Sequence, residues 1–221
     1  RYGSVLGLSV PLLGSVAAAV GYGAMSARVA RAATPGGTVR FGQIVPAAAI
    51  DPVKIADGGG VTVLSQIGEY LVLSGRDLSA KPVLAESWSI DPDGKVYTFK
   101  LRRGVKFSDG EPFDSSDVKF SFERAKAPGS TNKAKKAVFD NVSRIDTPDQ
   151  ITVILVLNQA DGNFLFRMGE NTAVILDPKS AATTTTKPIG TGPFRFDSWP
   201  KGSSLTWVKN DTFRNAAALK L

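Results

Sequence analysis

Tyr97 to Ala125 reads YTFKLRRGVKFSDGEPFDSSDVKFSFERA, and its changes of pattern mark a strand, a turn and a capped helix. Tyr97, Phe99 and Leu101 alternate with Thr98, Lys100 and Arg102. Successive side chains of a strand point to opposite faces, so this period of two predicts a half-buried strand in an antiparallel sheet, with its charged side to solvent. Asp109-Gly110 marks a turn. Asp114 stands where a helix needs an N-cap, and Asp117 three residues later has the capping-box spacing. Val118, Phe122 and Ala125 recur at helical spacing as a buried stripe, and Pro128-Gly129 ends the helix, expected to run to about Ala127.

Upstream, Lys81 to Ile90 (KPVLAESWSI) leads into a turn at Asp91-Pro92-Asp93-Gly94. Val61, Leu64, Ile67, Gly68 and Leu71 share one helical face, which predicts a helix over Val61 to Leu73 stopped by Gly75. Thr38 to Gly42 reads as a short first strand, and Gln43 to Ile50 as an apolar loop closed by Asp51-Pro52. Downstream, Val138 to Ile145 and Ile151 to Leu157 read as paired strands, the second apolar on both faces. Phe164 to Met168 forms a helical turn and Ala173 to Leu176 a strand, followed by a loop of four threonines at 183–186. Phe194 to Trp199 and Leu205 to Lys209 are two further strands, and Asn215 to Leu221 shows no closing element. The class is mixed α/β (α+β) without internal repeat.

Composition narrows the chemistry. Among 221 residues, 43% are hydrophobic and 21% charged, which suits a folded chain rather than a disordered one. There is no cysteine and no histidine, which excludes disulfides, thiolate metal sites, Ser-His-Asp and Cys-His catalysis and the commonest zinc sites. Val5 to Met25 carries no charge, and Ala30-Arg31-Ala32 has the small-x-small pattern of a signal-peptidase site, so residues 1–32 read as part of a signal peptide cleaved before Ala33. From Ala33 onward 24 basic residues face 20 acidic ones, too even a balance to point to nucleic acid.

The remaining candidate chemistry is carboxylate. Asp109, Glu111, Asp114 and Asp117 form the densest acidic group, and a secreted carboxylate-dependent hydrolase would need two such groups across a cleft. A turn, a cap and a first helical turn account for the same acids. Asp91-Pro92-Asp93-Gly94 lacks the later ligands of a calcium loop. Gly190-Thr191-Gly192-Pro193-Phe194 leads into a strand, not a helix N-terminus, so it reads as a tight backbone corner instead of a phosphate cradle. Trp88, Trp199 and Trp207 stand in strand-like settings as core residues, and Lys100 and Arg102 on a solvated face. No catalytic residue, metal or cofactor is expected.

Lys81 to Trp88 (KPVLAESW), Tyr97 to Ala125 and Pro188 to Trp199 (PIGTGPFRFDSW), in this order and spacing, resemble the extracellular solute-binding proteins of family 5, which include oligopeptide-, dipeptide- and nickel-binding proteins. The resemblance runs from Gly36 to Phe213. It implies a periplasmic-binding-protein-like, multi-lobe type II fold, truncated before its third lobe. Residues 33–54 would be the first segment of lobe I, 55–175 lobe II, and 176–221 the second, incomplete segment of lobe I. It also implies an exported monomer that captures a small solute, peptides foremost, by lobe closure for the membrane permease of an ABC importer. Ile44, Val45, Pro46, Glu170 and Asn171 are the positions the resemblance nominates for ligand contact. Besides the hydrolase, a truncated relative that binds a partner without transporting stays open.

Overall fold

The computed structural model describes residues 37–42, 50–54, 58–132, 134–169, 173–200 and 203–219. The expected leader lies outside the described residues, as do positions 43–49.

Helix α1 spans Gly58–Ile67 and is followed by two short paired strands, β1 (Val72–Ser74) and β2 (Ala80–Pro82). Strands β3 (Ala85–Ile90) and β4 (Val96–Leu101) come next, then helix α2 (Ser115–Lys126) and strands β5 (Val142–Asp149) and β6 (Thr152–Leu157). Helix α3 (Phe164–Met168) and the hairpin of β7 (Phe194–Ser198) with β8 (Thr206–Lys209) complete the set.

The central sheet has the order β3-β4-β6-β5 and is antiparallel throughout. The alternation read at 97–101 holds: Tyr97, Phe99 and Leu101 are buried, and Lys100 is exposed. Arg102 departs from the expected solvent face. It is half-buried, and its Nε donates to the Val83 carbonyl. Opposite β4, Val153 and Leu155 of β6 pair with Phe99 and Tyr97 and are also buried. Ile154 and Val156 are half-buried, so the second face of β6 is less covered than its composition suggests.

Helix α2 lies on β5 and β6 through Val118, Phe122 and Ala125. Phe122 meets Phe139 with ring centroids 5.3 Å apart. The capping box is present: Asp114 Oδ1 accepts from Ser116 N and Asp117 Oδ2 from Asp114 N. Two orphan amides of the first turn are thereby satisfied. At the other end of the sheet Tyr97 packs on Phe164 of α3, centroids 4.7 Å apart.

Five expected elements differ. The α1 helix ends at Ile67, not Leu73. A Cβ at Gly68 would stand 2.2 Å from Val174 Cγ1, and beyond it Glu69 forms a bridge with Ile175. Tertiary pairing here overrides a helical pattern that still places Leu71 in the core. Ala173 to Leu176 makes only that single bridge among the described residues. Val138 and the 3-10 turn Phe139–Asn141 precede β5, and a 3-10 turn at Ala216–Ala218 follows β8. Thr38 to Gly42 is coil, with Phe41 78% exposed and no strand partner among the described residues.

Candidate functional site

All five nominated contact residues, Ile44, Val45, Pro46, Glu170 and Asn171, lie outside the described residues. Their stems are described, and both converge on the C-terminal half of α1. Ile50, at the end of the first loop, is fully buried against Val63 and Ile67, and Phe196, Trp199, Leu205 and Trp207 pack around them. Val174, just after the second, is buried with Leu64, Tyr70 and Leu176. Before that second loop, Gly169 lies so close to β1 that an added Cβ would stand 2.5 Å from Ser74 N.

Each stem is tied by a buried ion pair or a backbone bond. Asp51 is 1% exposed and takes both arms of the Arg124 guanidinium, at 2.7 and 2.6 Å, while Val53 N donates to its Oδ1. Ile175 N donates to Glu69 O, and the Glu69 carboxylate is held by Arg214, whose guanidinium lies 5.3 Å from the centre of the Phe213 ring. Neither pair was read from sequence, because the partners of Asp51 and Glu69 lie 73 and 145 residues away.

The glycine corner is confirmed as a close backbone approach. Gly192 N donates to Ile67 O at 2.8 Å, and a Cβ at Gly190 would meet the same oxygen at 2.4 Å. Asn210 Nδ2 donates to Gly192 O, fixing the corner to the residue after β8. Among the described residues, Thr191 Oγ1 at this corner and the Tyr70 hydroxyl find no hydrogen-bond partner, and burial pushes the Tyr70 pKa up to about 12.

The carboxylates take the structural roles expected of them. Asp109 Oδ1 accepts from Glu111 N, and Glu111 pairs with Lys179 Nζ at 2.6 Å. Asp117 is 8% exposed, and burial pushes its pKa up to about 6. A carboxyl that holds its proton more tightly when folded favours folding at low pH. That contribution is lost as pH rises from the ordinary value of 3.8 through about 6. Two pKa units correspond to about 2–3 kcal/mol. Asp117→Asn, which keeps an acceptor for Asp114 N, is therefore expected to gain about that much on the wild type between pH 4 and pH 7 in urea denaturation. A stability difference constant across that range would refute this.

A polar concavity of about 460 Å3 is lined by Lys136, Asp140, Asn158, Gln159, Asp161 and Arg167, among others. Its groups already serve one another: Asp161 holds Arg167 at 2.8 Å, Asp140 pairs with Lys135, and Asn158 Nδ2 donates to Asp140 O. It reads as a closed loop network. Among the described residues no cluster of carboxylates could hold a metal ion, and no helix is long and apolar enough to cross a membrane.

Residues 79–220 match the family model described as bacterial extracellular solute-binding proteins, family 5 Middle. The glutathione-binding protein GsiB of Pectobacterium atrosepticum is 31% identical over 191 residues, covering 74% of this chain and 37% of that protein. The structure of the PBP AgaA in complex with agropinic acid, from A. tumefaciens R10, superposes with a TM-score of 0.71 at 34% identity, covering 76% of this chain and 35% of that one. The ABC transporter-associated periplasmic binding protein DppA from Helicobacter pylori, in complex with the peptide STSA, gives 0.66 at 29%, covering 76% and 38%. The chain thus spans little more than a third of the length of these relatives.

Proposed function

We propose, since the chain belongs to the bacterial extracellular solute-binding proteins of family 5, that it forms part of a substrate-binding component of an ABC importer. The family match over residues 79–220 carries this reading, and the superposition on AgaA supports it. The protein would work outside the cytoplasm as a monomer and deliver its solute to a membrane permease. Residues 33–54 and 176–221 would belong to lobe I and 55–175 to lobe II.

Peptides and peptide-like solutes are the favoured class, because the GsiB and DppA relatives are named for, or hold, such ligands. Ile44, Val45 and Pro46 on one loop and Glu170 and Asn171 on the other would face the solute. Pro46 offers no N–H, so backbone pairing with a peptide would fall to its neighbours. Binding requires no covalent chemistry, in keeping with a chain that has neither His nor Cys. The hydrolase reading gains nothing from the structure, which gives Glu111, Asp114 and Asp117 ion-pair or capping partners.

The test is thermal unfolding of the full-length protein with di- and tripeptides, including glutathione, each added in turn. A ligand present at 100 times its dissociation constant adds about 2.7 kcal/mol and raises the melting temperature by several degrees. Absence of any shift with peptides, opines and nickel complexes alike would overturn the proposal. A shift with an opine alone would keep solute capture and remove peptides as the class.

A further inference from the structure

The central sheet ends in two edge strands, β3 and β5, and the two edges are finished differently. An edge presents unpaired N–H and C=O groups to any passing strand, and proteins blunt it with proline, charge or bulges. β5 is blunted in each of these ways. Its register on β6 shifts between Val142 and Arg144 and again between Asp146 and Asp149, Pro148 has no N–H to offer, and Arg144 pairs with Asp146. β3 runs from Ser87 to Ile90 in unbroken register on β4, Ser87 opposite Lys100 and Ile90 opposite Tyr97, with neither a proline nor a charged side chain in that stretch.

The turn after β3 sets the direction of its backbone groups. Asp91 N donates to Val96 O, so these two residues form a bonded pair. Bonded and non-bonded pairs alternate in an antiparallel ladder, so Ser87 and Ser89 bond to β4, while Trp88 and Ile90 turn their N–H and C=O outward. At the start of β3 the same edge is taken, since Ala85 N donates to Leu71 O. Beyond it, among the described residues, nothing bonds to the outward groups of Trp88 and Ile90. Their side chains share a face with the buried Phe99 and Tyr97, yet Trp88 is half-buried and Ile90 is 46% exposed. An apolar side chain set beside Ile90 would extend the core by one row.

Charge decides between a second copy and a different strand. Antiparallel pairing of two β3 edges about a two-fold axis at Ser89 would set Glu86 of each copy between Asp91 and Asp93 of the other. An axis at Trp88 sets Glu86 against Ile90, and one at Ile90 sets Trp88 against Pro92, which has no N–H. Glu86 and Asp93 are exposed and have no ion pair among the described residues. The nearby lysines are drawn towards β6: Lys95 O accepts from Leu157 N, and Lys100 Nζ donates to Thr152 Oγ1. Both ends of the open stretch are therefore acidic, which repels its own copy and attracts a cationic flank.

We propose that the β3 edge from Ser87 to Ile90 receives an extended segment of another protein by strand addition, one that alternates apolar and polar residues and carries lysine or arginine at its flanks. The segment bonds to the outward groups of Trp88 and Ile90, places its apolar side chains beside theirs, and meets Glu86 and Asp93 with its basic ends. With so short a ladder the contact is weak and reversible. It depends neither on solute capture nor on the lobe boundaries.

The experiment adds a blocked probe, acetyl-Lys-Thr-Ile-Thr-Ile-Thr-Lys-amide, to the full-length protein and follows amide exchange by NMR, residue by residue. At about ten times its dissociation constant the probe is expected to slow exchange of Trp88 and Ile90 about tenfold, and to leave Ser87 and Ser89, already bonded to β4, unchanged. The same probe methylated on its isoleucine nitrogens should have no effect. Glutamate in place of its lysines should weaken binding about tenfold, by a margin that shrinks as salt is added. Ile90→Lys places a charge on the edge, and Ile90→Pro removes an N–H that β4 does not use; each should abolish the slowing, in variants shown by thermal unfolding to be folded. Equal slowing by the methylated probe, or no slowing at Trp88 and Ile90 by the lysine probe, would overturn the proposal. Slow exchange of both amides in dilute protein before any addition would show the edge already covered by the chain itself, and protection that grows with protein concentration would assign it to a second copy; either would overturn it too.

Discussion

Replacing Arg124 by methionine is expected to destabilise the protein by about 3–5 kcal/mol, because it strands the buried carboxylate of Asp51. Asp51 is 1% exposed and Arg124 contacts both its oxygens; the one other donor to that carboxylate among the described bonds is Val53 N, at 3.1 Å. Methionine preserves much of the packing of the Arg stem, so the loss reports the charge. Asp51→Ala alone and the double variant complete a cycle. The double variant should be less destabilised than the sum of the singles, since each single leaves a charge or a fork of donors unpaired. Urea unfolding at neutral pH gives all four values. The exposed pair of Lys81 with Asp77 is the comparison, and breaking it should leave stability within error. A loss below about 1 kcal/mol for Arg124→Met would show that water or the Val53 amide suffices for Asp51, and that the pair orients the loop stem without stabilising it.

That pair also shows where sequence reading stops. The strand at 97–101, the N-cap at Asp114 and the stripe Val118, Phe122, Ala125 were legible because local geometry alone sets their spacing. The corner at 190–192 was legible as a corner because two glycines and a proline preceded an alternating strand. What it packs against was not, since nothing near it in sequence names Ile67. The α1 helix was extended too far for the same reason: Leu71 keeps the helical period, but Gly68 has to pass Val174 and leaves the helix there. The nominated loops at 44–46 and 170–171 came from family resemblance. The structure supplies the anchors on either side of them, Ile50, Gly169 and Val174.

Gly192→Ala is expected to cost about 2–3 kcal/mol, and Gly190→Ala at least as much. A Cβ at position 192 would stand 2.6 Å from Ile67 O, 2.7 Å from Ile67 C and 2.8 Å from Gln66 O. At position 190 the nearest atom is again Ile67 O, at 2.4 Å. These are backbone atoms at the end of α1, so no rotamer change relieves the overlap. Either the helix end or the corner must move, and the bond from Gly192 N to Ile67 O at 2.8 Å is stretched in both cases. The motion should reach the cluster of Ile50, Val63 and Ile67, against which Trp199 and Trp207 pack. Their fluorescence should therefore shift together with the loss of stability. Gly129→Ala is the control: among the described residues no atom lies within 4 Å of its Cβ, and the change should stay within about 0.5 kcal/mol of wild type. If Ile44, Val45 and Pro46 contact solute as proposed, a displaced Ile50 would also weaken capture, through a faster off-rate with little change in on-rate. If Gly192→Ala unfolded like Gly129→Ala and left the tryptophan emission untouched, the corner would not be the piece that seats the β7–β8 hairpin on α1, and the ring of Phe196, Trp199, Leu205 and Trp207 would have to hold it there alone.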